Sequence, residues 1–206
     1  MKKGAARWVG SGNDRARMLL AQEAARIIVE DGVADYRAAK TKAAERLGMT
    51  AHGSLPGNDE IETALSSHLQ LFHGNSHTDL LRAMRGAAVS AMQMLARYEP
   101  RLVGPVLNGT AGHHSVVNLH LFSDNIEQVA EHLQAERISC ELYDRRLKSR
   151  QGQVDTFAGY RFEHRDTAIE ATVFPFDGIR QAPISPVDGK PMQRADTQTV
   201  QTMLLE

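Results

Sequence analysis

The sequence predicts an α+β fold, with a helical N-terminal region followed by a region of mixed strands and helices. Three observations predict it. Apolar residues recur at helical spacing from Met18 to Leu95, the period shortens towards two after Pro100, and glycine and proline punctuate the segments between. We place the helical region at residues 1–77 and an α/β domain at 78–206, ending in an irregular tail rich in proline and glycine.

The first predicted helix, 15–30, carries Met18, Leu19, Ala21, Ala25, Ile28 and Val29, with Asn13 or Asp14 as its cap. Asp35 is placed to cap a second helix, 36–47, which Gly48 stops. A turn-rich stretch, 50–58, leads to a third helix beginning at Asn58, where Asp59 and Glu60 favour the N-terminal dipole. Gly74-Asn75 breaks the chain, Thr78 opens the longest helix, and Pro100 marks its exit. Strands are then expected at 102–107 and 116–122, with a loop at 108–115 between them. Asp124 and Glu127 form a capping pair for a helix to about Gln134. Further strands are expected at 138–143, 156–163 and 168–174, an irregular tail at 177–195 and a last helix at 197–205.

Composition narrows the class. Hydrophobic residues at 42% and charged residues at 24% fit a globular chain rather than a disordered one. No stretch approaches the roughly 18–20 apolar residues that span a bilayer, so no membrane is expected. The charged start MKKGAAR is not followed by an apolar run of signal-peptide length, and the cytoplasm is the expected address. A net charge of −1 provides no global footprint for nucleic acid, although a local basic patch stays open. Cys140 is the single cysteine, which excludes an intramolecular disulfide and an all-cysteine metal site; it reads as a buried structural thiol.

The informative stretch is Val106-Leu107-Asn108-Gly109-Thr110, then a short loop, then Ser115-Val116-Val117-Asn118-Leu119-His120-Leu121. It resembles the nucleotidyltransferase superfamily, which includes DNA polymerase beta and the small antibiotic-modifying transferases. That signature is an apolar strand, Gly-Ser or Gly-Thr, a short loop, then Asp-x-Asp in a strand, with a third acid on a later strand. The resemblance covers roughly residues 102–174 and implies a mixed sheet with flanking helices. It also implies binding of a nucleoside triphosphate with magnesium or another divalent cation. Gly109 and Thr110 would bind phosphate, since glycine admits the backbone to the anion and the hydroxyl donates to it.

The chain departs from the signature where charge matters most. Val116 and Asn118 stand where the two strand acids belong, and Glu170 is the best candidate for the third. Valine carries no ligand atom, and asparagine offers a neutral oxygen. The resemblance therefore implies a degenerate member that binds a nucleotide or another small phosphate ligand. Two alternatives stay open. One is an active transferase with a non-standard catalytic and metal site at Asn118, His120 and Glu170. The other is a scaffold without enzymatic activity.

Other candidates carry double readings. His120 shares the strand face of Val116 and Asn118, below the loop residues His113 and His114, and serves either as a zinc or manganese ligand or as an ordinary polar strand residue. His73 and His77 straddle Gly74-Asn75, which argues against one metal-binding helix face. Arg145, Arg146, Lys148 and Arg150 read as a solvated hairpin end or as a phosphate or RNA contact. Arg180, Lys190 and Arg194 in the tail either fold over the sheet to supply positive charge for phosphate or merely tie the tail down.

Overall fold

The computed structural model describes residues 12–33, 35–49, 55–149 and 151–205. The expected turn at 50–58 lies outside the described residues as far as Ser54, as do Arg150 and the side chain of His73. The fold is α+β, and the chain divides into two compact units, Met1–His68 and Leu69–Glu206.

In the first unit, α1 (Gly12–Asp31) and α2 (Tyr36–Arg46) meet through small and branched apolar residues. Leu20, Ala24, Ile27, Ala39, Ala43 and Ile61 form its core, and alanines at the contact allow close helix approach. Asn13 and Asp14 fall inside the first turn of α1 rather than before it. Asp35 caps α2 by accepting from the Ala38 amide at 2.7 Å. Gly48 closes that helix at φ 61°, and the Met49 amide reaches back to the Ala44 carbonyl, a Schellman arrangement. Helix α3 (Asn58–Met94) starts at the expected residue, and Glu60 accepts from the Gly57 amide at 2.6 Å. Gly74, at φ 23° and ψ −111°, interrupts α3, so the chain is already helical on both sides of it before Thr78.

The second unit is built on five strands in the order β1-β2-β5-β4-β3. These are β1 (Arg101–Val103), β2 (Val117–Phe122), β3 (Cys140–Lys148), β4 (Val154–His164) and β5 (Thr167–Phe174). Only β2 and β5 run parallel; the other neighbours are antiparallel. Val117, Leu119 and Leu121 of β2, with Ile169, Ala171 and Val173 of β5, face a core shared with Met84, Ala88, Met92 and Leu95 of α3. Val129 and Leu133 of α5 (Glu127–Ala135) and Val200 of α6 (Thr197–Met203) complete it.

Two local expectations are corrected. The strand expected at 102–107 ends at Val103, and Pro105–Asn108 forms a single helical turn, α4. Gly104, at φ 72°, turns the chain out of the strand, and proline suits the first helical position because it has no amide to leave unpaired. The Asp124–Glu127 capping pair does not form. Asn125 accepts from the amides of Glu127 and Gln128, at 3.0 and 3.4 Å, while Asp124 accepts from the Phe176 amide. Asn125 stands one residue nearer the helix, at the two- and three-residue spacing from which an Asx oxygen reaches those amides, and Asp124 is engaged elsewhere.

The tail crosses from one edge of the sheet to the other. A 3-10 turn, Phe176–Arg180, follows β5, then Ile184 bridges to Lys148 on β3, and Ala195 bridges to Leu102 on β1.

Candidate functional site

Side chains alternate across a strand, so the face of the sheet opposite the core is fixed by register. One row across it reads Val103, Asn118, Glu170, Arg161 and Glu141, from β1 to β3. The next reads Arg101, His120, Thr172, Gly159 and Tyr143. Beyond them lie Phe122 and Phe174, with Phe157 against Phe174 and Arg145 opposite Phe157.

Glu170, 8% exposed, is the centre of this face. Arg145 donates through Nη2 to Glu170 Oε2 at 2.6 Å and through Nη1 to Asn118 Oδ1 at 2.9 Å. Arg161 donates to Glu170 Oε1 through Nη2 at 2.6 Å and Nε at 3.1 Å. The carboxylate is thus held on both oxygens, and its hydrogen bonds push the Arg161 guanidinium above its ordinary pKa. The two arginine side chains keep different access to water, 33% for Arg145 and 52% for Arg161.

Tyr143 packs against both arginines. Its ring lies over Gly159, with the Arg145 and Arg161 guanidinium carbons 5.8 and 5.7 Å from its centre. Its hydroxyl shares a 2.7 Å hydrogen bond with Thr172, two strands away. Burial pushes the Tyr143 pKa up, and this outweighs the lowering by the Thr172 hydrogen bond. A Cβ at Gly159 would stand 2.8 Å from that ring and 2.5 Å from the Ala171 carbonyl, so glycine is what lets the tyrosine cross.

His120 is 1% exposed, and its Nδ1 accepts from Arg194 Nε at 3.0 Å. Arg194 also donates to the carbonyls of Gly178 and Ile179, and its guanidinium lies over the rings of Phe122 and Phe174. Burial first, then Arg194 and Arg145, drive the His120 pKa well below the ordinary histidine range. Burial, with the Arg101 charge, brings Arg194 down to about 10.

No protein-family model and no curated protein matches this chain.

The expected site residues divide. Asn118 and Glu170 are register partners on neighbouring parallel strands, and His120 lies one step further along the same face. Gly109 and Thr110 follow a helical turn, not a strand. The amides of Gly109 and Thr110 both donate to the Pro105 carbonyl, and the Gly112 amide to Ser115 Oγ at 2.9 Å, so these three amides are satisfied within the turn. Arg180 and Lys190 are exposed in the tail, whereas Arg194 reaches the sheet. His113 and His114 are exposed, and His77 pairs with the Ala111 carbonyl at 3.0 Å.

These donors do not fit a divalent cation. Asn118 Oδ1 and both Glu170 oxygens already accept from guanidiniums, and His120 Nδ1 accepts from Arg194. Among the described residues, no group of three or more His, Cys, Asp or Glu side chains is placed to hold a metal ion.

Sequence reasoning missed Arg161 and Tyr143 and read Arg145 as part of a hairpin end. The available signal was alternation. Tyr143 and Arg145 sit two residues apart on a strand that continues through the basic run to Lys148.

Proposed function

We propose that this protein is a nucleotidyltransferase-like binding protein that takes a nucleotide or another small phosphate ligand on the polar face of its sheet, without transferring a nucleotidyl group. One observation carries the reading: two guanidiniums converge on a single buried carboxylate while keeping their outer edges in water. One negative charge set against two positive ones leaves the cluster cationic. Planar guanidiniums are well matched to phosphate oxygens. The parallel β2–β5 pair supports the resemblance to the superfamily, because it sets Asn118 beside Glu170.

Lost catalysis follows from the same residues. Val116 and Asn118 contribute no charge, and Glu170 is committed to arginines. Calorimetric titration with a panel of nucleoside mono-, di- and triphosphates tests the binding, and a labelled-nucleotide transfer assay tests the chemistry. Binding without transfer is expected. Absence of binding at millimolar ligand would leave the scaffold reading, which is itself supported by the internal pairing of the Gly109 and Thr110 amides.

A further inference from the structure

We infer that Arg145 acts as a built-in cation at this site, so that the ligand is a polyphosphate anion recognised without any divalent metal ion. The inference rests on the phosphate-binding reading above. Its observation is the position of one guanidinium, bonded at once to Asn118 Oδ1 and Glu170 Oε2 across two paired strands. A cation bridging those two oxygens would have to displace Arg145, whose charge-assisted bond to Glu170 is 2.6 Å long.

Arg145 is also held in place from its own strand. Tyr143, two residues earlier, is fixed over Gly159 by its bond to Thr172, and its ring lies against both guanidiniums. The arginine is therefore preorganised, so less side-chain freedom is lost when a ligand is bound. Arg161 offers its exposed edge beside it, with Glu141 as its neighbour at the sheet's margin. Arg101 and Arg194 extend the positive charge towards β1. Polyphosphate arriving with magnesium would bring less negative charge to this face than free polyphosphate does. Magnesium should consequently weaken binding rather than promote it.

Inorganic tripolyphosphate, titrated by calorimetry into the full chain with EDTA and then with excess magnesium, separates the outcomes. Equal or tighter binding in EDTA, weakened about tenfold in Arg145→Gln as expected for a lost charged contact of about 1.4 kcal/mol, supports the inference. Arg145→Lys keeps the charge without the planar fork and should fall between, and circular dichroism checks that both variants fold. Binding only with magnesium, or unchanged affinity in a folded Arg145→Gln, overturns the inference while leaving phosphate binding in place. Failure to bind under either condition removes the phosphate-binding reading itself.

Discussion

Six successive residues of β5 show the two faces of the sheet side by side. Ile169, Ala171 and Val173 pack into the core shared with α3, while Glu170, Thr172 and Phe174 point the other way. Both sets are buried, yet they are held by different physics. The core face is held by area removed from water, which is non-directional and tolerates changes of shape. The opposite face depends on hydrogen bonds and ion pairs, whose worth falls steeply when an atom moves. The first face makes the fold stable, and the second fixes its polar side chains in direction as well as in place.

The largest effect should come from breaking the core face. Leu119→Ala, in the middle of β2, should cost about 2–5 kcal/mol in chemical denaturation, the range for a cavity in a packed core. Next comes Gly159→Val, whose Cβ would press on the backbone of β5 as well as on Tyr143. A loss of about 1–3 kcal/mol is expected, together with a changed tyrosine absorbance as the Tyr143–Thr172 bond opens.

A double-mutant cycle on the polar face should give less. Arg145→Gln and Glu170→Gln, singly and together, should show a coupling of about 1 kcal/mol in denaturation, because Arg145 is one-third exposed and screened by water. A coupling near zero would mean that the contact is too mobile to orient a ligand.

The smallest effect is a dependence on pH. His120 has its folded pKa depressed, so the unfolded chain binds the proton more readily. Its stabilising contribution is whole above the unfolded value of about 6.5 and declines as pH falls below it. The facing charges are Arg194 in the tail, Arg145 on β3 and Arg101 on β1, all positive, which makes a protonated His120 unwelcome. His120→Gln should flatten the slope of stability against pH between about 6.5 and 5. An unchanged slope would assign the acid sensitivity elsewhere, for example to His164, whose pKa burial also lowers.

Much of the local structure was legible in the residues. Asp35 and Gly48 bound α2, Gly74 interrupts α3, and period-two alternation placed β2 and β5 close to their observed limits. The expected strand through 102–107 overran because Leu102, Val103, Val106 and Leu107 are apolar whether they alternate on a strand or pack from a helical turn; Gly104 and Pro105 decide between the two. At the site, alternation put Asn118 and His120 on one face, while Glu170 was put forward only as the third acid that the resemblance implies. It did not reveal that arginines would fill the space among them.

By itself, then, the sequence determined which residues share a face of a strand, the limits of α2 and the start of α3. Tertiary structure decided which strands are neighbours. Asn118 meets Glu170 across 52 positions of chain, and Arg145 joins them from the far edge strand. The physical reason is that alternation is a local property of the backbone, set by the geometry of each residue. Register and strand order come from hydrogen bonds and packing between distant segments, which no single stretch encodes.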